Sequence, residues 1–334
     1  LGFDEILGLG LAEAARQAQQ PAVPASVASR IAQRNVLRRQ AAFAEADVLR
    51  RQVEADGYHL RDTRGGTTAI VLRADEEFPQ ITSSRAEPDG RAEPDQYAFS
   101  VNLLARDSRA DLERCLESLA RHRNGADLEV VVIDNGSTDD TVTYLQHLAH
   151  AGISDGEGQA LPLRVLFADH NLGFAAGRNA TMRASRGRIV VLLDTSIELR
   201  RPIWDVLEQA LADPQVGMVG PYGLVTDNLK DFEESDGPDV DAIEGYLMAF
   251  RRELLREIGW FDEKFRFYRL LDIHTSFFAK TAGYRLLVLP ELAARLEKHP
   301  HREWYSLSAE EQAQRSKKNF DIYYRRWHHG QSLM

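Results

Sequence analysis

The sequence predicts a doubly wound α/β protein, in which a mostly parallel sheet carries helices on both faces. Three runs are continuously apolar or nearly so: residues 99–104 (FSVNLL), 129–133 (EVVVI) and 188–193 (RIVVLL). Such runs are typical of strands in a parallel sheet that is covered on both sides. Segments with helical spacing lie between them, and this alternation indicates βαβ connections.

The intervening elements follow from periodicity. Apolar residues recur at intervals of three and four over residues 112–119, which indicates a helix after the first strand. We expect further helices over residues 141–150 and 174–186, with a strand over residues 164–167. Residues 308–326, near the end of the chain, also have the composition of a helix.

Composition limits the classes of function. The chain has 334 residues, 43% of them hydrophobic, and a formal net charge of −10. The apolar fraction is enough for a sizeable core, and the acidic balance argues against nucleic acid as a partner. The only cysteine, Cys115, cannot form an intramolecular disulfide, and no apolar run is long enough to span a bilayer. We therefore expect a cytoplasmic protein.

Residues 1–96 predict an N-terminal extension that is separate from the α/β region. Apolar spacing indicates one amphipathic helix over residues 29–53, and residues 67–72 (TTAIVL) indicate a short strand. The charged, proline-containing residues 74–96, in which RAEPD occurs twice, have the composition of a linker. We place the domain boundary near Gln96.

Four arginines are neighbours on the predicted N-terminal helix: Arg38, Arg39, Arg50 and Arg51. They can form an ordinary solvated face. They can also contact an anionic lipid, a polymer or a partner, which includes a peripheral membrane contact or a second copy of the chain.

Two predicted central strands each end in an aspartate. Asp134 follows the strand at residues 129–133, and Asp194-Thr195-Ser196 follows the strand at residues 188–193. Ligands of doubly wound sheets bind beyond the carboxyl ends of the strands. A carboxylate there can accept hydrogen bonds from a base or a ribose, or can bind a divalent metal. Alternatively, Asp134 shapes an Asx turn in its own loop.

Four segments together resemble family 2 glycosyltransferases, most closely the rhamnosyltransferase-like branch, over about residues 97–300. They occur in the family's order: residues 99–119 (FSVNLLARDSRADLERCLESL), 130–141 (VVVIDNGSTDDT), 171–199 (NLGFAAGRNATMRASRGRIVVLLDTSIEL) and 254–265 (LLREIGWFDEKF). The resemblance implies a GT-A fold over residues 97–303, with residues 304–334 as a C-terminal helical tail. It also implies a nucleoside-diphosphate-sugar donor and transfer with inversion.

The resemblance implies a donor site at the strand ends. Asp134 matches the aspartate that binds the nucleobase in the family, and Asp194 matches the first residue of the family's Asp-x-Asp motif. Arg178 is expected to offset diphosphate charge, or else to be a surface arginine of its helix. The implied donor-binding residues are Asp134, Asn135, Asn171, Gly173, Arg178 and Asp194.

The sequence departs from the family where a metal is expected. Thr195 and Ser196 stand where the family usually has a second carboxylate, and hydroxyls are weaker ligands for Mn²⁺ or Mg²⁺. Either Mn²⁺ or Mg²⁺ is held by Asp194 with another ligand, or metal is bound weakly, or it is not used. His299, which forms a His-x-His pair with His301, is the candidate additional ligand.

The resemblance also implies an acceptor site. Counting back from Ala282-Gly283-Tyr284 aligns Asp272 with the family's catalytic aspartate, a general base for the acceptor hydroxyl. Alternatively, Asp272 is the N-cap of the helix expected at residues 273–280. The remaining acceptor-binding candidates are Gly245, Trp260 and His274, the last two of which can equally be packed structural residues.

The sequence therefore predicts a transferase of polysaccharide biosynthesis, of the hexosyl or rhamnosyl type. Its expected donor is a UDP-, dTDP- or GDP-sugar, and its expected acceptor is a glycan or a lipid-linked precursor. The alternative is a nucleotide-sugar-binding scaffold or partner subunit with little or no activity, because both carboxylate motifs have lost residues.

Overall fold

The computed structural model describes residues 25–40, 42–55, 58–63, 66–71, 78–155, 157–300 and 307–328. Internal contacts divide the chain into two units, Leu1–Phe78 and Pro79–Met334. This division lies ahead of the boundary expected near Gln96. Among the described residues, no helix has both the length and the apolar composition that crossing a bilayer requires.

The first unit contains two helices and a hairpin: α1 (Ala25–Arg39), α2 (Phe43–Ala55), β1 (Tyr58–Thr63) and β2 (Gly66–Val71). The single helix predicted over residues 29–53 is wrong, because the backbone turns after α1. In that turn the amide of Gln40 donates to the carbonyls of Val36 and Leu37. The turn lets apolar residues of both helices become buried, including Ile31 and Val53. The strand predicted at 67–72 is confirmed as β2.

The second unit is built on an eight-stranded sheet. Its strands in chain order are β3 (Gln80–Ile81), β4 (Tyr97–Ala105), β5 (Leu128–Asp134), β8 (Leu163–Ala168), β9 (Gly187–Leu193), β11 (Val216–Gly220), β15 (Leu247–Arg251) and β16 (Arg285–Val288). The strand order is β16-β11-β15-β9-β4-β5-β8-β3. Only β15 runs antiparallel to its neighbours, and the other strand pairs are parallel. The predicted mixed, mostly parallel, doubly wound sheet is confirmed.

Shorter strands form three small sheets beside this one. They are β6 (Ile153–Ser154) with β7 (Ala160–Leu161), β10 (Ile197–Leu199) with β17 (Leu296–Lys298), and β12 (Gly223–Val225) with β13 (Glu233–Ser235) and β14 (Ala242–Ile243). Strand β10 matters for the site because it follows the turn at residues 194–196 and pairs antiparallel with β17.

Most of the described helices of the second unit connect its strands. The helices are α3 (Arg109–Arg121), α4 (Thr141–Ala151), α5 (Phe174–Ala184), α6 (Trp204–Ala210), α7 (Leu254–Ile258), α8 (Leu271–Thr281), α9 (Pro290–Ala293) and α10 (Ala309–Trp327). A capping box between Ser308 and Glu311 starts α10. Tyr323 and Trp327 of α10 are buried in one hydrophobic cluster with Phe277 of α8, so this predicted tail packs onto the second unit.

Residues 79–96, which have a linker's composition, also pack onto the second unit. Ile81 lies in β3 and is buried with core residues of β5 and β8. The buried guanidinium of Arg252 donates to the carbonyls of Gly90 and Glu93 and to the carboxylate of Asp95. The segment is held in place because its backbone carbonyls accept hydrogen bonds from the Arg252 guanidinium. Amino-acid composition alone does not reveal such contacts.

Candidate functional site

The two strand-end aspartates lie at the same edge of the main sheet. Strand register pairs Asp134 of β5 with Ala105 of β4, and pairs Leu103 of β4 with Leu193 of β9. Because β4 lies between β5 and β9, the strand ends that carry Asp134 and Asp194 are two inter-strand spacings apart, roughly 10 Å across the sheet. The reversed strand β15 begins at this edge, because Leu247 pairs with Leu193.

One cavity at this edge brings together four residues implicated by the sequence: Arg178, Asp194, Gly245 and Asp272. The rest of its wall is aromatic or aliphatic, and consists of Phe174, Leu192, Tyr246, Met248, Phe261, Tyr268 and Leu271. A mostly apolar cavity with a few convergent polar groups is the usual form of a small-molecule site. Asp134 does not line this cavity.

Asp272 is held in the first turn of α8 by backbone donors. Its Oδ2 accepts from the amide of Gly245 at 2.9 Å, and its Oδ1 accepts from the amide of Ile273 at 3.0 Å. Burial raises the pKa of Asp272, and these two donors oppose the rise. The N-cap of α8 is Leu270, which has a left-handed backbone, so the alternative that made Asp272 the cap is wrong.

Asp194 lies in a turn that is joined to the start of β15. Its amide donates to the carbonyl of Tyr246 at 2.9 Å, and its Oδ1 accepts from the amide of Ser196 at 2.8 Å. The Ser196 hydroxyl is buried and has no hydrogen-bond partner among the described residues. The turn therefore offers the cavity one carboxylate, with neutral hydroxyls at the next two positions.

Arg178 is a buried arginine of α5, only 2% exposed, so the surface alternative is wrong. Its Nη1 donates to the carbonyl of Asn102 at 2.7 Å, and its Nη2 donates to the carbonyl of Leu193 at 3.0 Å. Burial lowers the pKa of Arg178 to about 10, and the negative charge of Asp194 opposes that shift. The guanidinium thus ties β4 to β9 while it adds positive charge beside Asp194.

Asp134 is turned toward its own loop. Both carboxylate oxygens are 3.3 Å from the amide of Ser137, as in the Asx-turn alternative. Burial raises the pKa of Asp134, and the nearby carboxylate of Asp107 raises it further. Asp107 itself accepts from the amide of Thr138 at 2.6 Å, so two carboxylates organise the loop after β5.

Asn135 connects this loop to the one after β8. Its Nδ2 donates to Oδ1 of Asn171 at 3.2 Å and to the carbonyl of Gly173 at 3.3 Å, while its Oδ1 accepts from the amide of Leu172. Gly173 has a φ of +95°, which a side chain would strain. These three predicted donor-site residues therefore form one network that fixes the shape of two adjacent loops.

Two acceptor-site candidates, Trp260 and His274, are not among the residues that line this cavity. The Trp260 ring lies against the guanidinium groups of Arg91 and Arg183, at 4.8 and 4.4 Å. His274 is buried, and its Nδ1 accepts from Nε1 of Trp327 at 3.0 Å. Burial lowers the pKa of His274 to about 4, which suits a neutral core histidine.

His299 faces a different group from Asp194. Its Nε2 is 2.9 Å from Oε2 of Glu198 and 3.9 Å from Oε1 of Glu297. Among the described residues, these three form the one group of histidine and carboxylate side chains close enough to hold a metal ion. Arg200 forms ion pairs with both glutamates, however, so the group is already largely neutralised. The side-chain partner of His299 in this structure is Glu198, and His301 lies outside the described residues.

The donor set at the strand ends does not fit a divalent metal well. Mg²⁺ and similar cations prefer several oxygen ligands, usually with more than one carboxylate. The Asp194 turn supplies a single carboxylate that already accepts from Ser196, and Asp272 is committed to Gly245 and Ile273.

Sequence reasoning did not assign a role to the two tyrosines of the cavity wall, Tyr246 and Tyr268. Tyr246 precedes β15 and is brought to Asp194 by the reversed direction of that strand. Tyr268 lies four residues before Asp272, but no spacing rule marks such an aromatic before the fold is known.

The fold and part of the sequence match known glycosyltransferases. Residues 100–228 match the family model described as Glycosyl transferase family 2. Uncharacterized protein y4gI of Sinorhizobium fredii (strain NBRC 101917 / NGR234) is 30% identical over 164 residues. That alignment covers 48% of this chain and 16% of the relative.

Two solved structures are similar over most of the chain. GalNAc-T7 with UDP, GalNAc and Mn²⁺ has a TM-score of 0.56 at 16% identity, covering 69% of this chain and 48% of GalNAc-T7. Mannosyltransferase PcManGT from Pyrobaculum calidifontis, in complex with GDP-Man and Mn²⁺, has a TM-score of 0.50 at 25% identity. That match covers 73% of this chain and 67% of PcManGT.

These comparisons confirm the resemblance to glycosyltransferase family 2 over residues 100–228. Residues 100–228, which are less than half of the chain, match the family 2 model, and the second unit has the GT-A fold. The chain spans less than half of GalNAc-T7 and less than a fifth of the Sinorhizobium relative.

Proposed function

We propose that this chain is a glycosyltransferase that moves a sugar from a nucleoside diphosphate to an acceptor hydroxyl, with inversion. The observation that carries the proposal is that Asp194 and Asp272 line one cavity at the carboxyl edge of the sheet. Ligands of open α/β sheets bind at this edge. The match of residues 100–228 to glycosyltransferase family 2 and the GT-A fold support glycosyl transfer as the class of reaction.

In the proposed reaction, Asp272 is the general base. The acceptor oxygen attacks the anomeric carbon of the donor sugar, its proton passes to the Asp272 carboxylate, and the bond to the diphosphate breaks. The nucleoside diphosphate leaves with that bonding electron pair. Because burial raises the pKa of Asp272, its carboxylate is a stronger base than an exposed aspartate.

The proposed donor subsite lies at the ends of β5, β8 and β9. Asp134 would bind the base or ribose by exchanging its contact with Ser137 for the ligand. Asn135, Asn171 and Gly173 would act by holding their loops in shape. Arg178 would stabilise the site through its hydrogen bonds to carbonyls of β4 and β9.

The donor and acceptor classes are also proposals. The similar structures contain UDP with GalNAc in one case and GDP-Man in the other, which supports a UDP- or GDP-sugar, with a dTDP-sugar as the third candidate. The acceptor would be a glycan or a lipid-linked precursor, bound near Gly245. Both of those structures contain Mn²⁺, but the donor set around Asp194 here is poorer in carboxylates than a divalent cation prefers.

The direct test is release of nucleoside diphosphate from a panel of UDP-, GDP- and dTDP-sugars, with glycan and lipid-linked acceptors, in the presence and absence of Mn²⁺. One donor should give product whose anomeric configuration is inverted, as read by NMR. Binding of a nucleotide sugar without turnover on any acceptor would contradict transfer and favour the scaffold alternative.

A further inference from the structure

Lys298 is a cation at the rim of the proposed donor site. Its Nζ lies 3.3 Å from the ring centroid of Tyr246 and 5.3 Å from that of Tyr222. Tyr246 lines the cavity, and its carbonyl accepts from the amide of Asp194. The Lys298 residue is exposed, and none of the described carboxylates is within ion-pair distance of its ammonium group. Its charge is therefore available beside the turn that contains Asp194.

Strand alternation separates Lys298 from the group that resembles a metal site. In the β10–β17 pair, Glu198 lies opposite Glu297, whereas Ile197 lies opposite Lys298. Successive side chains of a strand point to opposite faces. Glu297 and His299 therefore share one face with Glu198, and Lys298 points to the other face, toward Tyr246.

A nucleoside diphosphate needs positive charge at this place. The cavity holds two carboxylates, Asp194 and Asp272, and a diphosphate brings further negative charge that grows as the sugar bond breaks. Among the described residues that line the cavity, Arg178 is the one arginine, and its guanidinium already donates to two backbone carbonyls. A lysine binds phosphate as a mobile point charge on a flexible stem, and an exposed cation–π contact is weak enough to be exchanged.

We propose that Lys298 neutralises the donor diphosphate in this protein, in the role that a metal held by paired carboxylates would otherwise have. The proposal rests on the proposed function, because it assigns a residue to the diphosphate of the same donor. On binding, the ammonium group leaves the Tyr246 ring and forms an ion pair with diphosphate oxygens. The single carboxylate at residues 194–196 is then sufficient, since it does not need to hold a cation.

The test is calorimetric binding of UDP, GDP and dTDP to the full chain, in EDTA and in Mn²⁺. Wild type should bind one of them equally well under both conditions. Lys298→Met should weaken that binding by about 10- to 100-fold, the usual range for a hydrogen bond to a charged group, and K298R should retain most of it. Lys318→Met removes an exposed lysine of α10 and should leave the affinity unchanged.

The matching nucleosides serve as the control for folding and for base recognition. K298M should bind the preferred nucleoside as wild type does, because Lys298 contacts only the diphosphate. A wild type that binds the diphosphate only with Mn²⁺, or a K298M variant with unchanged affinity, would overturn the role of Lys298 and leave the proposed function standing. If wild type binds none of the three diphosphates, the proposed function and this inference both fail.

Discussion

The amide of Gly245 donates to Oδ2 of Asp272 across 2.9 Å, and so joins the residue before Tyr246 to the first turn of α8. This contact depends on the reversed direction of β15, whose start lies at the carboxyl edge of the parallel strands. It holds one carboxylate oxygen in place and opposes the effect of burial on the pKa of Asp272. The buried carboxylate is thereby fixed at the site where the proposed chemistry takes place.

The pH dependence of turnover should follow the protonation of the Asp272 carboxylate. Because the pKa of Asp272 is raised, the base is protonated below that pKa, and kcat should fall on the acid side at a pH above the ordinary aspartate value of about 3.9. Gly245→Ala keeps the amide but adds a methyl group about 3.4 Å from the carboxylate, which excludes water. Its acid limb should lie at the same or a higher pH. A limb at lower pH than in wild type would contradict this description of the base.

The Asn135 side chain should be needed for the stability of the two donor-site loops. Asn135→Ala leaves the amide of Leu172 without its partner in a buried place, whereas the carbonyl of Gly173 still accepts from the amide of Gly177. We expect a loss of about 1–3 kcal/mol in the free energy of unfolding by urea, because one unsatisfied buried group costs about that much. Since Asn135 also bonds Asn171, the N135A/N171A double variant should lose less than the sum of the single variants. Strict additivity would contradict the network.

His274 should make stability depend on pH below neutrality. Its folded-state pKa of about 4 lies below the unfolded value of about 6.5, so the unfolded chain binds the proton first as pH falls. The stabilisation is complete above about pH 6.5 and is lost as the pH falls toward 4. Between pH 8 and pH 5, wild type should lose about 2 kcal/mol more than His274→Gln.

The control for that measurement is His147→Gln, which changes an exposed histidine of α4. Its unfolding free energy should follow that of wild type at every pH. If H274Q and wild type lose stability in parallel, then His274 is not the neutral, Trp327-bonded core residue that the structure contains.

The central strands could be predicted because a short, nearly continuous apolar run is by itself a signal for a buried strand. Residues 129–133 lie in β5 and residues 188–193 lie in β9, and both strands are near the centre of the sheet with apolar residues on both faces. The positions of Asp134 and Asp194 at the strand ends followed from this. The single N-terminal helix was wrong because amphipathic spacing continues past the end of α1, where the amides of Gln40 and Ala42 donate to carbonyls of that helix.

The side-chain partners at the site could not be predicted, because they come from distant parts of the chain. Arg178 is buried only because the carbonyls of Asn102 and Leu193 accept its hydrogen bonds. The Trp260 ring contacts Arg91 and Arg183, which the fold brings to it from distant positions in the sequence. Likewise, the side of β17 on which Lys298 lies depends on the pairing of that strand with β10.

The most direct test of the central claim compares Asp272→Asn with Asp321→Asn, which makes the same change at an exposed residue of α10. Binding of the preferred nucleotide sugar and the rate of a single turnover should be measured for both variants. The proposed function predicts that D272N binds the donor with nearly wild-type affinity and transfers sugar about 10²- to 10⁴-fold more slowly, the usual contribution of a general base, while D321N matches wild type. A D272N protein that transfers sugar at the wild-type rate would contradict the claim that Asp272 accepts the proton in this cavity.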